Sequence, residues 1–311
     1  MPDFGITTES PPKRVDELLD SRLMARLDQL DVMSRKIFAG KLQGERRSKK
    51  RGQSVEFADY RNYVVGDDLR FIDWNLYARL DKLFLRLFME EEDLSVSIIM
   101  DTSASMNYGE PNKLMHAKRV AAALGYIGLV HHNRVGLYSF TETIDDQITG
   151  LRGRRPIPRL LEFLDRQHAQ PGTPGHMEAA LKRLAMLNRQ AGVVVLISDF
   201  FDKGDLNAAL RYLADDRYDV YAIQLLSPQE VDPVKGELVG DLRLTDMEDG
   251  DIAEVSVTSA LVKRYQANLQ AYCNHVRDQC LRRGVSYMVS ETSVKFETVI
   301  LKYLRERGLL G

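Results

Sequence analysis

The chain has 311 residues, of which 44% are hydrophobic and 28% are charged, and its formal net charge is −2. This length is enough to bury a sizeable core in one large domain, or in one domain with a satellite. The near-neutral charge argues against binding to nucleic acid or membrane through overall charge. No window approaches the roughly 18 apolar residues that a membrane span needs. The opening segment MPDFGITTESPPKR also lacks the order of a signal peptide.

The two cysteines, Cys273 and Cys280, lie seven residues apart in a helical pattern. Seven residues of helix rise roughly 10 Å, which is too far for a disulfide. We therefore expect reduced core thiols in a cytoplasmic protein, and a redox role is the alternative.

The first part of the chain predicts a polar tail over residues 1–15 and an amphipathic helix over residues 15–38. A basic run bracketed by glycines follows, and it consists of Arg46, Arg47, Lys49, Lys50 and Arg51. Such a run is typical of a solvated loop, but it could instead contact an acidic protein partner or nucleic acid.

Residues 54–93 are rich in aromatic side chains and contain the single tryptophan, Trp74. Gly66 and Asp67 predict a turn, and residues 82–88 alternate as a strand does. We expect a β-rich segment that packs on the domain after it. Its acids either pair with its arginines or form a metal or catalytic cluster; these residues are Asp67, Asp68, Asp73, Arg61, Arg70 and Arg79.

From Leu94 onward, apolar strand patterns alternate with amphipathic helix patterns. Strands are predicted at 97–101, 135–140, 143–148, 193–198, 220–226 and 285–289. Helices are predicted at 113–132, 156–167, 206–214 and 259–283, with one that opens at Thr173 and Pro174 and a last one that ends at Arg307. Residues 236–257 predict an inserted hairpin. This alternation predicts an α/β fold with a doubly wound, mostly parallel sheet.

Three loops at one edge of this sheet offer oxygen ligands. Asp101, Ser103 and Ser105 follow the first strand of the domain, Thr173 lies in a later loop, and Asp199 follows the apolar run VVVLIS. Ligands bind at the carboxyl ends of strands where the winding direction reverses. If the strands that end at 101 and 199 are neighbours there, five oxygens converge on a site suited to a hard divalent cation.

Each residue also has a purely structural interpretation. Thr173 before Pro174 fits the N-cap of a helix. Asp199 could cap a turn, and Asp101 with Ser103 could form an Asx-turn. These interpretations do not require the D-x-S-x-S spacing of residues 101–105.

Together, DTSASM at 101–106, the Gly-Thr pair before a helix and ISD at 197–199 resemble the metal-ion-dependent adhesion site (MIDAS) of von Willebrand factor A (vWA) domains. This resemblance begins near residue 94. The upstream segment is similar to the signature of the bacterial DUF58 family through Gly52, Glu56, Phe57, Tyr60, Arg61, Tyr63, Gly66, Asp67, Asp68, Arg70, Ile72, Asp73, Trp74, Ala78 and Arg79.

The resemblance implies a tail and helix at 1–40, a DUF58 segment at 41–93 and a vWA-like domain at 94–311. It also implies a six-stranded Rossmann-like sheet with one antiparallel edge strand, and a partner among the cytoplasmic MoxR-type AAA+ ATPases. The implied role is to assemble other proteins, mature them or insert metal into them. Pro171 stands where a glycine often precedes the Gly-Thr pair, and many relatives carry N-terminal membrane helices that this sequence does not show.

The ligand types suggest how such a site would work. Ser103 and Ser105 would coordinate directly, whereas Thr173, Asp101 and Asp199 would bind directly or through water. Mg²⁺ is the expected ion, with Mn²⁺ or Ca²⁺ as alternatives. With few charged ligands, the ion would accept an Asp or Glu carboxylate from a protein partner. We therefore expect an adaptor or co-chaperone and not an enzyme.

Two rival functions remain open. A metal-dependent hydrolase or phosphatase of the aspartyl type would need a second Asp two residues after the first, where Ser103 stands, and the sequence contains neither H-E-x-x-H nor G-x-x-x-x-G-K-[ST]. A scaffold with a vestigial metal loop is the other rival.

Overall fold

The computed structural model describes residues 18–19, 21–32, 56–89, 94–170, 175–188, 190–214, 217–233, 240–245, 252–306 and 308–310. The chain divides into two compact units. The first joins Met1–Gly44 to Leu94–Gly311, and the second is Glu45–Asp93. Within the described ranges, no helix is both long enough and apolar enough to cross a membrane.

The described helices are numbered in chain order. They are α1 (Ser21–Leu27), α2 (Trp74–Leu80), α3 (Lys113–Val130), α4 (Ile157–Asp165), α5 (Met177–Leu187), α6 (Leu206–Leu210), α7 (Pro228–Val231), α8 (Ser259–Arg282) and α9 (Phe296–Thr298). A π-helix, Val299–Leu304, continues α9, and short 3-10 turns occupy Leu69–Phe71 and Ala104–Asn107.

The described strands are also numbered in chain order. They are β1 (Glu56–Asn62), β2 (Phe84–Met89), β3 (Ser95–Asp101), β4 (Arg134–Phe140), β5 (Ile144–Leu151), β6 (Gly192–Ser198), β7 (Tyr218–Leu226), β8 (Gly240–Thr245), β9 (Ile252–Val257) and β10 (Ser286–Glu291).

Six strands of the first unit form one sheet in the order β10-β7-β6-β3-β4-β5. All neighbours are parallel except β4 and β5, which are antiparallel. Every residue of β3, β6 and β7 is buried, as continuous apolar strands between two helical layers require. The predicted six-stranded, mostly parallel sheet with one antiparallel edge strand is confirmed.

The two faces of the sheet bury separate cores because successive strand residues point to opposite sides. On β3, Ile98 and Met100 pack with the core of α1, α3 and α4. Ile99 packs with the core of α5, α6 and α8. Cys273 and Cys280 are free buried thiols on α8, as predicted.

The second unit contains the antiparallel pair β1–β2 with a 3-10 turn and α2 between the strands. The expected internal pairing is present between Arg61 and Asp67 at 2.8 Å and between Arg70 and Asp68 at 2.5 Å. Asp73 instead caps α2. Among the described residues, no group of three or more His, Cys, Asp or Glu side chains is placed to hold a metal ion. The alternative of an acidic metal cluster in this segment is therefore not supported.

Some predicted boundaries are wrong. The helix expected over 15–38 ends at Leu27, and the chain then turns so that Val32 forms a bridge with Leu310. Helix α2 was not predicted, because no residue in it is buried and its aromatic side chains do not follow an amphipathic pattern. The hairpin expected over 236–257 is present as the antiparallel pair β8–β9.

Candidate metal centre

Two acidic residues lie side by side at the carboxyl edge of the sheet. Asp101 ends β3, Asp199 follows β6 directly, and Met100 of β3 pairs with Ile197 of β6. The chain leaves β3 toward β4 on one side and later returns to β6 on the other, so this is the point where the winding reverses. Both side chains are buried, with exposed fractions of 3% for Asp101 and 1% for Asp199.

The loop after β3 brings its two serine hydroxyls together. The backbone N–H of Ser103 donates to Asp101 Oδ1 at 2.9 Å, which is the hydrogen bond of an Asx-turn. The 3-10 turn that follows places Ser103 Oγ 3.1 Å from Ser105 Oγ. Adjacent ligands of an octahedral Mg²⁺ with bonds of about 2.1 Å lie about 3.0 Å apart. The spacing of the two hydroxyls therefore suits ligands of one ion.

Ser198, the last residue of β6, fixes the orientation of Asp101. Its hydroxyl donates to Asp101 Oδ2 at 2.6 Å and accepts from the backbone N–H of Phe200 at 2.9 Å. Burial, and then the charge of Asp199, raise the pKa of Asp101 to about 7, although hydrogen bonds from Ser198 and Ser103 oppose this rise. The two carboxylates are therefore close enough to repel each other, and a cation between them would relieve that repulsion.

The backbone around Asp199 is held by several neighbours. Its Oδ1 accepts from the N–H of Phe201 at 3.1 Å, and its carbonyl accepts from Gln224 Nε2 at 2.8 Å. Phe200 is buried in the left-handed region with a φ of 61°. Its carbonyl accepts from the hydroxyl of Tyr272 on α8. A bulky residue in this conformation is strained, and such strain persists only where the surroundings hold it.

Lys113, the first residue of α3, also reaches this site. Its Nζ donates to Asp199 Oδ2 at 2.7 Å and to Glu230 Oε1 at 2.6 Å, and its side chain is only 1% exposed. Burial opposes the charge of Lys113, but the charges of Asp199 and Glu230 outweigh it and raise the pKa of its ammonium. Lys113 is therefore a buried cation at neutral pH.

Lys113, Glu230 and Ser198 are not among the site residues predicted from the sequence. A lysine at the start of an amphipathic helix is ordinarily expected to be exposed to solvent, so only the fold reveals that Lys113 is buried. The position of Glu230 at a helix start could have been predicted, because Ser227-Pro228-Gln229-Glu230 matches a capping box. That box is present, with Glu230 Oε2 accepting from the Ser227 N–H at 2.6 Å.

Thr173 lies outside the described residues, but its surroundings bear on the prediction. Helix α5 begins at Met177 with His176 at its N-cap, so the interpretation of Thr173 as the cap of this helix is wrong. A Cβ atom added to Gly175 would lie 3.7 Å from Ser103 Oγ and 3.9 Å from Asp101 Oδ2. The backbone two residues after Thr173 therefore borders the candidate site. The basic residues Arg46, Arg47, Lys49, Lys50 and Arg51 also lie outside the described residues.

The structure thus brings Asp101, Ser103, Ser105 and Asp199 to one place. Hydroxyl and carboxylate oxygens are the ligands that hard divalent cations prefer, so the donor set fits Mg²⁺. The interpretations of Asp101 and Asp199 as turn-forming residues are also correct. Both carboxylates keep lone pairs beyond those turn hydrogen bonds, so the two roles are compatible.

The comparisons with known proteins place the chain in a family. The model of the family described as "Protein of unknown function DUF58" matches residues 59–274. "Uncharacterized protein Rv1480" of Mycobacterium tuberculosis and "Uncharacterized protein Mb1516" of Mycobacterium bovis are each 29% identical to the chain over 307 residues, which is 97% of this chain and 96% of each relative.

Similar solved structures include an aerotolerance-related membrane protein from Bacteroides fragilis, with 16% identity, a TM-score of 0.41 and coverage of 68% of this chain and 99% of that one. The VWA domain of SpRpn10 has 10% identity, a TM-score of 0.39 and coverage of 68% of this chain and 94% of that one. Since the family model spans more than half of the sequence, this chain belongs to the DUF58 family.

Proposed function

We propose that this protein is a metal-dependent protein-interaction module. Ser103 and Ser105 would hold a divalent cation directly, with Asp101, Thr173 and Asp199 binding it directly or through water. When bound, the ion would supply a Lewis-acidic position for an Asp or Glu side chain of the partner. The observation that carries this proposal is the 3.1 Å spacing of the two serine hydroxyls beside Asp101.

The balance of charge supports binding through a shared ion. The two serines are neutral ligands, and the carboxylate of Asp199 is already paired with Lys113. The ion would therefore keep most of its charge, which favours one more anionic oxygen. The partner's carboxylate would then dominate the affinity of the complex.

We propose a MoxR-type AAA+ ATPase, or a client of it, as the partner. This choice rests on the resemblance of the sequence to its family, as does the proposed cytoplasmic location. In this role the protein would act as an adaptor or co-chaperone that links the ATPase to other proteins.

Capture from native extract, with and without a chelator, tests this function. The wild type should retain an ATPase of this type in Mg²⁺ and release it when the metal is removed. Ser103→Ala and Ser105→Ala should each abolish retention. Ser95→Ala is the matched control, because Ser95 is a buried serine at the opposite end of β3. Retention by folded Ser103→Ala protein at the wild-type level would contradict the proposal.

We propose binding and not catalysis as the role of the site. An aspartyl phosphotransferase would need a second carboxylate where the hydroxyl of Ser103 lies. Wild-type protein should therefore show no turnover of a generic phosphate ester above the level of Asp101→Ala. Turnover that disappears in Asp101→Ala would support a hydrolase instead.

A further inference from the structure

Lys113 places a positive charge against Asp199 of the candidate metal centre. Its ammonium is enclosed by the carboxylates of Asp199 and Glu230. The ring centroid of Phe201 lies 5.3 Å from Nζ and that of Tyr108 lies 6.0 Å away, close enough for cation–π attraction. Burying a lysine is costly unless it is paired, so this arrangement is a specific feature of the site.

The ammonium is also held against movement. Glu230 Oε2 accepts hydrogen bonds from the N–H of Ser227 at 2.6 Å and from its hydroxyl at 3.0 Å, so the glutamate itself is fixed. The side-chain amide of Gln229 exchanges two hydrogen bonds of 3.1 Å with the backbone of Glu110, a few residues before α3. The start of α3 and the short helix α7 are therefore tied together around Lys113.

The pairing of Asp199 with Lys113 affects how Asp199 could bind a metal ion. Asp199 Oδ2 is engaged by Lys113, and Oδ1 by the N–H of Phe201. Because both oxygens of Asp199 already accept hydrogen bonds, this carboxylate is less available as a direct ligand of an ion near Ser103. If Asp199 were free, it could become a second direct carboxylate ligand beside Asp101.

We propose that Lys113 is a positioning residue that keeps Asp199 out of the inner coordination shell of the metal, so that the ion stays receptive to a partner's carboxylate. This inference rests on the proposed function. It predicts that the site trades metal affinity for the ability to accept an outside carboxylate. Removing the lysine should therefore strengthen the binding of the metal alone.

Calorimetry with Mg²⁺ and Mn²⁺ tests this inference on the full chain. Lys113→Met should bind either metal about tenfold more tightly than the wild type, because a nearby like charge is removed and Asp199 is released. Lys118→Met is the matched control. Lys118 is also buried on α3, but its Nζ donates to the carbonyl of Asp165 at 3.1 Å, so its loss should leave metal affinity unchanged.

A second variant is needed in case Lys113→Met does not fold. It also distinguishes the release of the Asp199 side chain from the loss of the lysine's positive charge. Lys113→Met combined with Glu230→Gln removes one positive and one negative charge, so the net charge around the site is the same as in the wild type. Tighter metal binding by this double variant would report the release of Asp199. Adding Asp199→Asn to it should reverse the gain. A merely structural role for Lys113 predicts weaker metal binding in each case.

The outcomes distinguish this inference from the proposed function. One outcome is that the wild type binds the metal and the folded double variant binds it equally well or more weakly. That outcome overturns the role of Lys113 and leaves the proposed function standing. Metal binding that appears only in the lysine variants, and is lost again with Ser103→Ala, supports the role of Lys113 and overturns the metal-dependent function. No metal binding by any variant overturns both.

Discussion

Ser198 Oγ donates a hydrogen bond of 2.6 Å to Asp101 Oδ2, and this bond joins the carboxyl ends of two neighbouring parallel strands. Both residues are buried, with exposed fractions of 0% for Ser198 and 3% for Asp101. One hydroxyl therefore orients a carboxylate of the candidate metal centre and, through the N–H of Phe200, the strained turn beside it.

Replacing Ser198 with alanine should lower the free energy of unfolding by roughly 1–3 kcal/mol, because a buried carboxylate oxygen loses its donor. Urea denaturation measures this change. Ser139→Ala is the control, since Ser139 is a buried serine on β4 whose bond to the carbonyl of Asp146 is long, at 3.4 Å. A denaturation midpoint of Ser198→Ala equal to that of the wild type would show that this bond is unimportant.

Two glycines near the sheet should respond differently to alanine. A Cβ atom at Gly192 would lie 2.0 Å from the backbone carbonyl oxygen of Ser95, so β3 and β6 would have to separate. Gly192→Ala should lower the free energy of unfolding by roughly 1–3 kcal/mol or more. The nearest atoms to a Cβ at Gly175 lie at 3.7 Å, an ordinary contact, so Gly175→Ala should cost less than about 0.5 kcal/mol. Equal urea midpoints for the two variants would contradict this prediction.

His116 should make a contribution to the stability of the first unit that is lost in mild acid. Burial, and then the charge of Arg119, lower the pKa of His116 from 6.5 to about 4. Between these values His116 binds a proton more readily in the unfolded chain than in the folded chain, so its contribution to the free energy of unfolding falls as the pH drops. The full contribution is present above pH 6.5, and its loss by pH 4 is on the order of 3 kcal/mol.

Denaturation at several pH values from 7 down to 4 measures this dependence. His116→Gln should flatten the part of the profile that belongs to this histidine, whereas replacing the exposed His168 with glutamine should leave the profile unchanged. Parallel profiles for His116→Gln and the wild type would rule out His116 as the source.

The fluorescence of the single tryptophan reports on the solvent exposure of α2 in the second unit. Trp74 is 59% exposed on α2, and none of the residues of that helix is buried. We expect fluorescence typical of an indole in water, with strong quenching by acrylamide. Trp74→Ala should change the free energy of unfolding by less than about 1 kcal/mol. Emission typical of an apolar environment, with weak quenching, would contradict the exposed position.

The sheet could be predicted because its central strands are continuous apolar runs. Strand β6, which reads GVVVLIS, is followed directly by Asp199 and is buried along its full length. The two carboxylates at the strand ends could be predicted for the same reason, since a parallel sheet brings such ends to one edge. The D-x-S-x-S spacing then identified which hydroxyls would join them.

Other parts of the site depend on tertiary contacts that sequence patterns do not reveal. Lys113 can be buried because two residues far along the chain, Asp199 and Glu230 of α7, pair with its ammonium. The order of Thr173 and Pro174 suggested a helix start, but α5 begins at Met177, whose backbone N–H donates a hydrogen bond of 2.6 Å to Asp202 Oδ2. The sequence offered more than one possible start for this helix, and the contact with Asp202, which is distant in sequence, is made by the observed one.

The bridge between Val32 and Leu310 has a consequence for how the protein is made. Val32 is translated 278 residues before its partner, Leu310. The first unit therefore cannot acquire its complete set of contacts until Leu310 has been translated. Until then the early segment, whose leucines belong to the core, lacks some of its packing partners, a state that favours aggregation or capture by chaperones.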